Sequence, residues 1–153
     1  MAAVLVIGYG NPLRSDDGIG WRVAEAVRQR HAGDGAVEVL TCHQLLPEIA
    51  AKIAEFDHVI FVDAAERGIA GEVERKEVNP QQLPGPSNHQ VDPACLLRSS
   101  QEVYGRCPMA SLITVPGKSF AFGQQLTRSV EQAIPAAVKM VEECIERQVT
   151  AER

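Results

Sequence analysis

Apolar positions along the chain follow two periodicities in turn, and their alternation predicts an α/β fold. Ala2 to Tyr9 is a short apolar run rich in Val and Ile, ended by Gly8 and Gly10, the pattern of a buried central strand. Ser15 or Asp16 then offers an N-cap, and behind it Ile19, Val23, Ala26 and Val27 recur at helical spacing as far as His31. Val37 to Thr41 reads as a second strand. Pro47 opens a helix whose inner face is Ile49, Ile53 and Phe56, and His58 to Asp63 (HVIFVD) is a third strand, apolar almost throughout. This β-α-β-α-β order implies parallel strands joined by crossover helices.

The second half is more mixed. Gly71 to Val78 alternates charged residues with Val, as an edge or partly exposed strand does. Asn79 to Asp92, with Pro80, Pro84, Pro86, Gly85 and Ser87, reads as a loop. Asp92 followed by Pro93 makes an N-cap and first-turn pair, so a helix should run from there towards Tyr104. Ala110 to Val115 (ASLITV) is the fifth strand. Val130, Ile134, Val138, Val141 and Ile145 then form the apolar stripe of a last helix. Pro135 lies inside it, so that helix is expected to kink or restart there. The expected architecture is a single three-layer α/β/α domain spanning residues 1–153, with a mostly parallel, about five-stranded twisted sheet.

Composition narrows the function. A chain of 153 residues, 45% hydrophobic and 23% charged, can bury an ordinary core. Its formal net charge of −5 argues against nucleic-acid binding, which needs a basic face. No stretch approaches the ~20 apolar residues of a membrane span, and the N-terminus lacks a basic leader pattern, so the expected location is cytoplasmic. Cys42, Cys95, Cys107 and Cys144 form no CxxC pair; a thiolate zinc site is not expected, and reduced thiols are.

Ligands of open parallel sheets bind beyond the carboxyl ends of the strands. Three segments should meet there: Gly8 to Gly20 (GYGNPLRSDDGIG), Asp63 at the end of the third strand, and the polar loop carrying His89. Asp16 or Asp17, Asp63 and His89 could therefore converge. Two carboxylates and an imidazole suit zinc, nickel or iron better than magnesium, and three protein ligands leave room for water or a substrate carbonyl.

Each residue also has a plain structural explanation. Asp16 is read as a helix cap. Asp17 in a first turn is favoured by the helix dipole, Asp63 could bond backbone donors at a strand end, and a loop histidine is commonly a surface one. Gly8 and Gly10 do not complete a dinucleotide fingerprint, because Leu13 stands where the third glycine would be; they serve a tight turn and close backbone approach. Cys42 and His43 could lie near the same edge, but adjacent strand positions point to opposite faces, which argues against a Cys-His catalytic pair. His31 at a helix end and His58 at a strand start have simple structural explanations.

Val6 to Gly20 (VIGYGNPLRSDDGIG) closely resembles the opening motif of the hydrogenase maturation proteases. Ile60 to Ala65 (IFVDAA) resembles that family's second motif, and Asn88-His89-Gln90 stands where the family has its histidine. The order and spacing match, and the similarity covers essentially the whole chain. The resemblance implies a nickel-dependent endopeptidase that removes the C-terminal extension of a [NiFe]-hydrogenase large-subunit precursor. Nickel would be carried by that precursor, and no organic cofactor would be needed. Carried onto this sequence, Asp17, Asp63 and His89 would be both nickel ligands and catalytic residues, in aspartyl-type or metal-assisted hydrolysis. The partner would be the precursor, met by a monomer. A non-cleaving, nickel-sensing chaperone or adaptor would use the same three residues. Two departures stand out: the family commonly has Glu where Asp17 stands, and Thr41-Cys42-His43-Gln44 replaces an Asp-Gly-rich motif thought to engage substrate. The stretch HQLLPE and the segment Tyr104 to Gly117 resemble the branch serving cytoplasmic, bidirectional, NAD-linked hydrogenases.

Overall fold

The apolar run that opens the chain becomes β1 (Val4–Tyr9), which lies inside a five-stranded sheet. The other strands are β2 (Val37–Cys42), β3 (His58–Ala65), β4 (Glu74–Glu77) and β5 (Met109–Pro116), in the spatial order β2-β1-β3-β5-β4. Four helices flank this twisted sheet: α1 (Ile19–Arg30), α2 (Ile49–Ile53), α3 (Pro93–Tyr104) and α4 (Arg128–Ala151). The computed structural model describes residues 3–81 and 91–151.

Side chains alternate across a strand, and β1 shows how that alternation makes three layers. Val4 and Val6 point to one face, where they meet Val23 and Val27 of α1 and Val138, Val141 and Ile145 of α4. Leu5 and Ile7 point to the other, where they meet Ile53 of α2 and Leu96 and Leu97 of α3. Both sides of β1 are fully buried. Each such Val, Leu or Ile contributes roughly 1.5–3 kcal/mol of transfer free energy. A strand buried on both faces reads as an unbroken apolar run, which is why β1 and β3 were legible without alternation.

β1 pairs in parallel with β2 and β3, and β3 in parallel with β5. β4 runs antiparallel to β5 at the sheet edge. All four β4 residues (ERKE) are exposed, whereas Val73 and Val78, which bracket the strand, pack against the two cores. Edge strands rich in charge resist pairing with a second chain.

Helix ends agree with the sequence in one case and not in another. At α3 the Asp92 carboxylate accepts a hydrogen bond from the Cys95 amide at 2.8 Å, and Pro93 fills the first helical position. At α1, neither Ser15 nor Asp16 caps the helix. A single 3-10 turn (Ser15–Gly18) intervenes, and Gly18 precedes Ile19 with no side-chain cap. Two other expectations change. α2 covers only Ile49–Ile53, with Phe56 buried beyond its end. α4 runs as one helix through Pro135 without restarting. Its buried Ala137, Val138 and Val141 lie directly beyond the proline, and that packing offsets the lost backbone hydrogen bond. Among the described residues, no helix is long and apolar enough to cross a membrane.

His31 ties the end of α1 to α4. One ring nitrogen lies 2.8 Å from a Glu142 carboxylate oxygen and the other 3.3 Å from Asp34. Burial alone would lower its pKa, but the hydrogen bonds and charges of Glu142 and Asp34 outweigh burial and raise it. His58 shows the opposite balance: burial lowers its pKa, and its ring lies 3.0 Å from Gln148 and 3.3 Å from Ser111. A histidine raised in the folded state stabilises it fully below the unfolded value of about 6.5, and that stability fades as pH rises through the folded pKa. His31→Gln should therefore cost about 1 kcal/mol near pH 5.5 and clearly less near pH 8.5. Urea melts of both proteins at the two pH values check this; a cost that does not vary with pH would rule it out.

Candidate active site

The site begins with a backbone problem. β1 ends at Tyr9, and the chain must turn back over the sheet edge before α1 can start. Gly10 makes that turn at φ 138°, a conformation L side chains rarely adopt, and a Cβ there would run into the Asp17 carbonyl. The turn brings Asp17 back to the strand end, where its carboxylate accepts the Asn11 amide at 2.7 Å. Trp21 of α1 locks the arrangement: its indole N–H lies 2.9 Å from the Gly10 carbonyl and 3.1 Å from the Cys42 carbonyl, bridging the ends of β1 and β2.

Asp16, one residue earlier, points the other way. It is fully buried, and its carboxylate accepts the backbone amides of Lys118, Ser119 and Thr127 at 2.7–2.9 Å. The Thr127 hydroxyl donates a fourth bond at 2.8 Å. Burial would raise the pKa of Asp16, but these bonds outweigh it and lower the pKa. The helix-cap reading of Asp16 is thus corrected: its carboxylate organises the loop between β5 and α4. The same loop is held by further bonds, from Ser15 Oγ to the Ala121 carbonyl at 2.7 Å and between the backbones of Ser15, Leu13 and Gly123.

Asp17 and Asp63 meet in one cleft of about 890 Å³ at the carboxyl ends of β1 and β3. Tyr9, Asn11, Arg14, His43, Glu66 and Phe120 also line it. Asp63 accepts the Ala64 amide at 2.8 Å and a hydrogen bond from Tyr9. Its pKa is nonetheless pushed up to about 7, first by burial and then by the charge of Asp17, with Glu66 adding to it. Burial and the neighbouring Asp63 charge likewise raise the Tyr9 hydroxyl well above its ordinary value. Near neutral pH Asp63 can therefore hold or release a proton, and a cation beside it would favour release. The two carboxylates also supply two of the three donors of an O,O,N site. His89, the third expected ligand, lies outside the described residues; Val91, two positions on, lines the cleft. Among the described residues, no group of three potential ligands is assembled.

Cys42 ends β2, and His43 lies just past it with different surroundings. Cys42 packs against the core on the α2–α3 side, and burial raises its thiol pKa, which disfavours a thiolate. His43 instead lines the cleft, its ring edge-on to Trp21 with centroids 5.4 Å apart. Tyr9, Arg14, Glu66 and Phe120 were not anticipated. Glu66 lies three residues beyond Asp63, which was a usable signal; Phe120 belongs to the distant loop that Asp16, Ser15 and Arg14 hold against this edge.

A profile for the family described as HycI, hydrogenase maturation protease, matches residues 21–144. The chain belongs to this hydrogenase maturation protease family. A 61-residue stretch is 39% identical to the hydrogenase 2 maturation protease of Escherichia coli strain K12, covering 40% of this chain and 37% of that relative's length. The hydrogenase maturating endopeptidase HybD of E. coli superposes with a TM-score of 0.80 at 26% identity, over 95% of this chain and 93% of that one. The HycI maturation protease of Thermococcus kodakarensis KOD1 shares the fold, with a TM-score of 0.76 at 23% identity over 95% and 93% of the two chains.

The neighbouring aspartates should separate cleanly in stability. Asp16→Asn places an amide among four donors and should cost about 3 kcal/mol. Asp17→Asn disturbs one backbone bond and should cost about 1 kcal/mol or less. Because the folded pKa of Asp16 is lowered, its contribution is present above about pH 4 and is lost as pH falls through the folded value, so the Asp16→Asn deficit should narrow in acid. Chemical denaturation of both variants at pH 7 and in acid tests this; equal costs at pH 7 would refute the assignment.

Proposed function

We propose that this protein is an endopeptidase that removes the C-terminal extension of a [NiFe]-hydrogenase large-subunit precursor after nickel insertion. The observation that carries the reading is the convergence of Asp17 and Asp63 in one cleft of a chain from the maturation protease family. On this reading Asp17, Asp63 and His89 contact the nickel that the precursor brings, and the metal is the recognition signal. An empty precursor offers no cation to relieve the repulsion between the two carboxylates, so it binds poorly and is spared. Nickel held there can polarise the scissile carbonyl or activate a water, with a carboxylate as base. The protein works as a single domain over residues 1–153, as a cytoplasmic monomer. The stretch HQLLPE and the segment Tyr104 to Gly117, by their resemblance, support assignment to the branch serving bidirectional NAD-linked hydrogenases.

The decisive experiment incubates the purified protein with nickel-loaded and nickel-free precursor and follows the size shift on a denaturing gel. Cleavage of the loaded form alone is expected; equal processing of both removes nickel as the signal, and binding without any cleavage makes the protein an adaptor. In the same assay Asp63→Ala and His89→Ala should abolish processing while circular dichroism shows the fold retained. Asp17→Glu should be the mildest change, since it keeps the charge.

Cys42→Ala should process loaded precursor at close to the wild-type rate, because its side chain faces the core and its thiol is held protonated. Complete loss of cleavage in a folded Cys42→Ala protein would restore a cysteine-peptidase reading.

A further inference from the structure

The described cleft lining contains three carboxylates, Asp17, Asp63 and Glu66, and one guanidinium, Arg14. Arg14 is held at both ends. Its backbone amide donates to the Asn11 carbonyl at 3.0 Å, its carbonyl accepts from the Asp17 amide at 3.1 Å, and it forms a β-bridge with Gly123. Its Nε donates to the Phe120 carbonyl at 3.2 Å, which helps set the plane of the guanidinium. Among the described residues no carboxylate pairs with it, so both terminal nitrogens keep their donors. The side chain is exposed, so these terminal nitrogens face solvent on the cleft wall, oriented by the Phe120 bond and open to a ligand.

The chemistry of the cleft says which ligand. Ionised carboxylates only accept hydrogen bonds, so the acidic floor cannot satisfy the carbonyl groups of an extended peptide. Arg14 offers what that floor lacks. A carboxylate bound at the same place would face the acidic cluster of Asp17, Asp63 and Glu66 against a single guanidinium, whereas a neutral carbonyl would not be repelled. We propose that Arg14 is a substrate-positioning residue whose terminal guanidinium nitrogens donate to a main-chain carbonyl of the substrate tail as it lies in the cleft beside Phe120. This rests on the reading of the protein as one that handles a peptide tail.

The test uses the full chain with nickel-loaded precursor and measures both affinity and cleavage kinetics for wild type, Arg14→Gln and Arg14→Lys. A second precursor, with the carboxylates of its tail replaced by amides, is run in parallel. Loss of a charge-assisted hydrogen bond should raise KM and the dissociation constant of Arg14→Gln by about tenfold on both precursors, with a much smaller effect on kcat. Arg14→Lys should recover part of the loss, since it keeps a charged donor but not the fork. Unchanged affinity overturns the proposal. So does a loss confined to the carboxylate-bearing tail, which would make Arg14 an anion site. A fall in kcat accompanied by a lower Tm also overturns it, because Arg14 would then act only through the Phe120 loop. If wild type binds but never cleaves, the protease reading fails, and the affinity comparison still decides the role of Arg14.

Discussion

The fold and the site both hang on one backbone contact, the approach of α1 to the ends of β1 and β3. A Cβ on Gly8 would strike the Gly20 carbonyl, and one on Gly20 would lie 2.5 Å from the Val62 carbonyl. The first turn of α1 therefore rests directly on the sheet, with no side chain between. That closeness shortens the path from β1 to α1 and forces the intervening residues to fold back over the strand ends. Asp17 comes to Asp63 for this reason. A bulkier spacer would lift α1 by the thickness of a methyl group or more, and the carboxylates would lose their common cleft.

The two adjacent aspartates divide the work that this geometry creates. Asp16 is wholly buried yet ionised, because four donors replace the water it loses. Asp63 is buried with fewer partners and a like charge beside it, so its acidity is weakened. Asp17 is half-buried, with one backbone amide on its carboxylate. A satisfied buried carboxylate is structural material; an under-satisfied pair facing a cleft is a place where a cation or a proton lowers the free energy. The distinction follows from donors counted around each group, and it cannot be made from the dipeptide itself.

That is also where reading the sequence stopped working. β1 and β3 were visible because strands buried on both faces read as nearly unbroken apolar runs, β5 because ASLITV is mostly apolar, and α3 because Asp92-Pro93 states its own start. The convergence of Asp17 and Asp63 was legible from topology, since both follow parallel strands. Asp16 was misread because its partners, Lys118, Ser119 and Thr127, are more than a hundred residues away, and no local pattern encodes a bond of that range. Phe120 went unnoticed for the same reason, since the loop that Asp16 organises places it; the backbone of Arg14 is set locally, but its guanidinium is oriented by the Phe120 carbonyl of that distant loop. α4 was expected to kink or restart at Pro135 because propensity is local; it does not restart, because the packing that carries the helix through is not local.

The cleft's polarity now has a consistent physical sense. Its floor presents acceptors and negative charge, its wall presents one fixed guanidinium, and its rim includes Leu46 and Phe120. Left empty, such a floor is an electrostatic liability, because the charges of Asp17 and Glu66 add to the cost of ionising Asp63. On the proposed reading the substrate itself relieves that cost, by bringing a cation to the carboxylates while its backbone meets Arg14. A site built this way gains most from a ligand that carries both features at once. A peptide without the metal leaves the carboxylates repelling each other, and a free metal ion leaves the guanidinium and the apolar rim unused. Selectivity for a loaded precursor then follows from adding two modest terms that no other common cellular ligand supplies together, and neither term has to be strong alone.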